Sequence, residues 1–277
     1  MIRKLPAPRT MVELFAAGNL AFLAIDVYVA HMVNAFERAP EWIPFGLSLA
    51  APVILAIGWI SKRDRLPGLV VGWASVAVGV AGMVFHLESH FFEEQTIRNL
   101  VYTAPFVAPL AYAGIGLLLI LDRSVEVGLE WARWVVFLAL GGFAGNFVLS
   151  LADHAQNGFF QRSEWIPVVA SALACAFLLM VVLRPLDAAL LRATAWLLGL
   201  QALTGLAGFA LHVRANMTRP GESLWTRFLY GAPVFAPLLF ANLALLAAIG
   251  LWAVRLARWS PGQTSSAASA STKSSGS

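Results

Sequence analysis

Residues 82–110 read GMVFHLESHFFEEQTIRNLVYTAPFVAPL, and the way this stretch divides decides the fold. An apolar run ends at a histidine, a polar segment follows, and a second apolar run opens on Ala-Pro-x-x-Ala-Pro. Two membrane spans joined by a polar loop are the simplest reading. On a continuing helix, His86, His90 and Glu94 stand at i, i+4 and i+8 and stack along one face, with Glu88 and Glu93 pointing elsewhere. Such a ladder can hold a metal. An ionisable cluster bordering a span is a functional site by default, since nothing apolar is gained by keeping it there.

Outward from this stretch, charged breaks cut the chain into apolar runs of roughly 20 residues, the length a helix needs to cross about 30 Å of hydrocarbon. Eight spans are expected, near 11–36, 43–61, 67–91, 102–121, 132–155, 165–183, 188–213 and 228–254. With 59% hydrophobic and only 12% charged residues, the chain is an all-α integral membrane protein. The net charge of +4 does not point to nucleic acid, because the basic residues lie in short connections and form no continuous patch. There is no P-loop, G-x-S-x-G or H-E-x-x-H pattern, so neither a nucleotide site nor a serine nucleophile is expected. Cys175 is the single cysteine and lies in an apolar run, which rules out a disulfide framework.

An internal repeat doubles the pattern. Residues 31–44, HMVNAFERAPEWIP, match residues 154–167, HAQNGFFQRSEWIP; AGMVFH ending at His86 matches AGFALH ending at His212. The run from Tyr102, YTAPFVAPL, matches YGAPVFAPL from Tyr230. Each repeat holds four spans, an even number, so the halves should cross in the same sense and be related by an axis along the membrane normal. The expected units are 1–127 and 128–259, followed by a disordered Ser/Ala-rich tail at 260–277. The first span could pass for a signal peptide, but its repeat mate lies mid-chain and Asp26 interrupts it; it is read as retained. Lysine and arginine concentrate on the side of both termini, which predicts cytoplasmic N- and C-termini, as in a bacterial inner (plasma) membrane.

In this topology all five histidines fall at the outer ends of spans one, three, five and seven. His31 and His86 come from two helices of one half, His154 and His212 from two helices of the other, as cofactor sites in helix bundles are commonly built. Either of two cofactors fits these residues. A non-haem transition metal (Fe, Cu or Zn) would take His31, His86, His90 and a carboxylate, Glu94 or Asp26, a nitrogen and oxygen set suited to those ions. A haem b would take His31 with His86 and His154 with His212, with Gly82 and Gly208 one turn earlier admitting a flat macrocycle. Acidic residues lie near both sets, including Glu41, Asp153 and Glu164. Trp42 and Trp165 read as belt residues at the headgroup level. Pro109 and Pro237, one turn inside their spans, are expected either to fix how the helix begins, which is the favoured reading, or to kink it and free carbonyls to line a cavity.

The functional expectation is electron transfer or metal-dependent redox chemistry at the outer face, with a redox partner or another membrane subunit. The alternatives are a proton- or metal-ion-coupled transporter built on Asp26, the histidines and the kinked spans, and an assembly or scaffold protein.

Overall fold

The computed structural model describes residues 7–220 and 223–258, so the expected tail at 260–277 lies outside the described residues. Ten α-helices follow one another: α1 (Pro8–Met32), α2 (Trp42–Ile60), α3 (Arg65–Leu87), α4 (Ile97–Tyr102), α5 (Leu110–Ser124), α6 (Leu129–Gln156), α7 (Trp165–Leu183), α8 (Ala188–Thr218), α9 (Leu224–Leu229) and α10 (Leu238–Arg258). Seven of them, α1, α2, α3, α6, α7, α8 and α10, are long and apolar enough to cross a membrane. The protein is therefore an integral membrane protein.

The expected fourth span takes a different form. Its main helix is α5, whose 15 residues cover about 22 Å at 1.5 Å per residue and run past the expected end at 121. Ahead of it lie the end of the short helix α4 and an irregular stretch at 103–109. The Ala-Pro-x-x-Ala-Pro run accompanies the break: Thr103 ends α4 in an extended conformation, and Pro105 and Pro109 have no N–H to bond a carbonyl one turn back. Pro109 becomes the residue that caps α5 rather than a kink inside it. The eighth expected span behaves in the same way, its helix starting at Leu238, directly after Pro237.

Two apolar cores form. Ala16, Leu20 and Val27 of α1 pack with Leu55 of α2, Val71 of α3, and Tyr112 and Leu119 of α5. The larger core joins α6, α7, α8 and α10 around Trp131, Phe143, Leu178 and Ala247, with Val12 and Phe15 of α1 closing one side. Small residues set the closest helix approaches, as in membrane packing generally. A Cβ on Gly79 would lie 2.6 Å from the Ala113 nitrogen, and one on Gly205 would lie 2.8 Å from the Pro237 oxygen.

At mid-depth the two cores are joined by amides. Asn19 of α1 donates to Asn242 of α10 (3.2 Å), Asn242 donates back (2.5 Å), and Asn19 also donates to the Phe15 carbonyl (2.8 Å).

Candidate functional site at the histidine end

α3 stops at Leu87, and this decides where the histidines can act. The Thr103 and Ser89 hydroxyls donate to the His86 carbonyl (2.6 and 2.7 Å), taking the acceptor that a further helical turn would need. Residues 88–94 therefore form turns, and the His86, His90, Glu94 ladder does not exist. His90 and Glu94 are both exposed; the His90 ring stands 4.0 Å from the Glu93 carboxylate.

His31 and His86 do meet. Their ring centroids are 6.4 Å apart, with the planes inclined by 56°. Each is oriented through Nδ1. His31 Nδ1 faces the Val27 carbonyl one turn back at 3.0 Å, and His86 Nδ1 faces the Pro105 carbonyl at 3.0 Å. A carbonyl oxygen only accepts, so Nδ1 carries the proton in both rings and Nε2 keeps its lone pair. In the other half His212 repeats the arrangement, with Nδ1 donating to the Pro233 carbonyl at 2.8 Å. His154 lies within electrostatic reach of His212, and its Nδ1 lies 3.9 Å from a Glu164 oxygen. The carbonyls at the Ala-Pro segments thus hold histidines instead of lining a cavity.

The segment after each first histidine is strained in the same way twice. Ala35 and Phe36 have φ of 55° and 53°, and Gly158 and Phe159 have 67° and 50°. A left-handed phenylalanine is unfavourable, and such outliers gather at functional sites. Here the strain slides the ring between its neighbours. Phe36 stacks on Trp42 at 4.2 Å and against His31 at 5.6 Å; Phe159 stacks on Trp165 at 4.1 Å and lies 6.1 Å from His154. Trp42 and Trp165 remain half-exposed, as belt residues would, but they also close one side of the histidine sites.

Glu41 and Glu164, equivalent in the repeated Glu-Trp-Ile-Pro run, each keep one carboxylate oxygen, Oε2, buried with no hydrogen-bond donor. Glu41 acts electrostatically on His86, and its other oxygen accepts from Asn34 at 3.0 Å. Sequence reasoning named these two only as nearby acids; the repeat of the whole four-residue run was the signal that they are site residues. Asp26 lies within electrostatic reach of His31 and of Tyr112, one to two turns inside the helix end. The Tyr112 hydroxyl donates to the Pro44 carbonyl at 3.0 Å, so the Ser48 hydroxyl, 2.5 Å away, must donate to Tyr112.

Two expectations about neighbours change. The space over Gly82 and Gly208 is not open to a macrocycle, because a Cβ at either would meet the Pro109 or Pro237 ring at 2.8 Å. Asn216, which stands where the first half has His90, is a backbone clamp: it donates to the Ala232 carbonyl (2.9 Å) and accepts from the Ala232 amide (2.8 Å). In the first half Ser89 does part of this work, accepting from the Ala104 amide at 2.9 Å.

Among the described residues, no group of three or more His, Cys, Asp or Glu side chains gathers closely enough to hold a metal ion. Family models, curated proteins and solved structures contain no match to this chain.

Proposed function

We propose that the chain is a membrane electron-transfer protein of eight spans in two parallel four-span repeats, with a bis-histidine metal centre at the outer end of each. In this reading the fourth span is α5 extended by its irregular lead-in. His31 with His86, and His154 with His212, are the ligands. The observation that carries the proposal is the pair of oriented imidazoles. A metal-binding histidine commonly donates its second ring nitrogen to a carbonyl or carboxylate, which leaves the other nitrogen free to ligate. Three of the four rings here donate to a carbonyl and the fourth lies beside a carboxylate. His31 and His86, with ring centroids 6.4 Å apart, would be the residues that hold the metal in the first half.

Two protein ligands per centre fit haem b better than a bare ion, although its ring would have to enter away from Gly82 and Gly208, where Pro109 and Pro237 fill the space. A haem would need only two imidazoles from the protein, whereas a non-haem ion needs three or more side chains. When bound, the haem would supply one-electron chemistry. The protein's part is to fix both imidazoles as Nδ1–H tautomers and to place the Glu41 and Glu164 carboxylates nearby, where negative charge favours the oxidised, more positive iron.

Absorption spectra and metal analysis of protein purified from its native membrane test this. Two haems per chain are expected, with His86→Ala and His212→Ala each losing about one and His90→Ala losing none. Protein lacking haem and transition metal would overturn the reading. Cysteine labelling tests the orientation: a cysteine at Arg219 should react from outside and one at Arg63 should not.

A proton-coupled transporter is the second reading, and Asp26 is the observation in its favour. This carboxyl lies inside a spanning helix and forms no hydrogen bond or ion pair among the described residues. Such groups mark ion and proton paths.

A further inference from the structure

At the end of the bundle opposite the histidines, a cleft of about 490 Å³ opens beside the first two turns of α1, lined by Thr10, Glu13, Leu14, Trp59, Lys62 and Asp64. Behind it stands a buried ion network. The Arg123 guanidinium bonds Glu13, Asp122 (2.8 Å) and Asp64 (3.4 Å), and Arg9 reaches the other oxygen of Asp122 at 3.3 Å. Both Asp122 oxygens thus face a guanidinium, which favours the ionised carboxylate against the opposing effect of burial. Three carboxylates then face two guanidinium groups, leaving one negative charge uncompensated. The Lys62 ammonium makes no hydrogen bond or ion pair among the described residues, and the Trp59 indole N–H is buried without an acceptor. The cleft therefore offers an excess anion at one side and free donors at the other.

The second half shows the same place closed. Asp187, the counterpart of Asp64, caps its helix by accepting from the Ala189 and Leu190 amides (2.9 and 3.0 Å). Asp64 holds the same position ahead of α3 but makes no capping bond, its carboxylate turned to Arg123 and the cleft. Arg133, the counterpart of Thr10, donates to the carbonyl of Val182, the counterpart of Trp59, at 3.2 Å. A guanidinium fills in one half what is left open in the other.

We propose that this cleft binds the headgroup of a zwitterionic phospholipid with a primary ammonium, of the phosphatidylethanolamine class. The ammonium would sit at Glu13 and Asp64, and the phosphate at Lys62 and the Trp59 N–H. The depth identifies a lipid as the source: a half-exposed Leu14 continues the cleft along α1 toward hydrocarbon, and a tryptophan marks the headgroup level. The site is independent of the histidine pairs.

Delipidated full-length protein in detergent, titrated with dioleoyl phosphatidylethanolamine or phosphatidylcholine and followed by native mass spectrometry, tests the assignment. One ethanolamine lipid should bind about tenfold more tightly than the choline lipid, whose quaternary nitrogen cannot donate to Glu13 and Asp64. Thr10→Arg, which copies the second half, should abolish that preference. Lys62→Ala, at an exposed side chain without contacts, should weaken both lipids and serves if Thr10→Arg misfolds. Equal binding of the two lipids, a preference that survives in Thr10→Arg, or undiminished binding of both lipids by Lys62→Ala would overturn the proposal. Equally tight binding of water-soluble glycerophosphoethanolamine would reassign the cleft to a soluble ligand.

Discussion

Replacing Asn216 by alanine isolates what holds the second histidine site in shape. The side chain is 1% exposed and bonds both backbone groups of Ala232, the residue just before the Pro233 whose carbonyl orients His212. Each bond contributes about 0.5–1.5 kcal/mol net, and their loss also leaves an amide and a carbonyl without partners. We expect Asn216→Ala to cost about 2–4 kcal/mol in all. Exchange of the Ala232 amide should speed up by between about 30-fold and 1,000-fold, since 1.4 kcal/mol is one decade. Asn216→Asp separates the two bonds: its carboxylate still accepts from the amide but presents a second acceptor to the Ala232 carbonyl, so most of the stability should go. Ser89→Ala in the first half removes one amide bond while Thr103 still holds the His86 carbonyl, and should cost only about 1–2 kcal/mol. The assays are thermal unfolding in nanodiscs and hydrogen exchange over residues 230–237. Wild-type exchange at Ala232 in Asn216→Ala would refute the clamp.

Three more expectations follow from paired positions. Ala35→Gly should stabilise the protein by about 1 kcal/mol by relieving a left-handed alanine, and Gly158→Ala should destabilise it by a similar amount; unfolding midpoints compare the two. Gly82→Ala and Gly208→Ala each drive a methyl into a proline ring, at a cost of about 1–3 kcal/mol read by the same unfolding assay. The Leu190 amide, then the Ala189 amide and the nearby Arg184 and Arg192 charges, lower the pKa of exposed Asp187 below its ordinary 3.8. Its contribution is therefore present above that value and fades as pH falls through the lower folded-state pKa. Exchange at the first turn of α8 should rise at acid pH in wild type, and in Asp187→Ala be fast throughout.

Apolar run length revealed most of the helices, because a span must bury its whole surface in lipid or protein and the sequence shows this directly. The duplicated landmarks likewise paired His31 with His154 and His86 with His212 before any coordinates. The ladder through His90 and Glu94 failed for a reason no local pattern carries. α3 ends because Thr103, seventeen residues farther on, returns to bond the His86 carbonyl. Glu41 and Glu164 were underweighted because the adjacent tryptophans explained the repeated run well enough on their own. The left-handed Phe36 was also invisible, since its counterpart's neighbour is a glycine but its own is an alanine.

The amide pair between Asn19 and Asn242 limits how the two halves can move. Sliding one half along the membrane normal by even a single residue rise, about 1.5 Å, pulls both bonds apart where no water can replace them. Val12 and Phe15 of α1 also enter the larger core, so the same displacement would have to undo that packing as well, and the amide pair acts as a tether between α1 and α10.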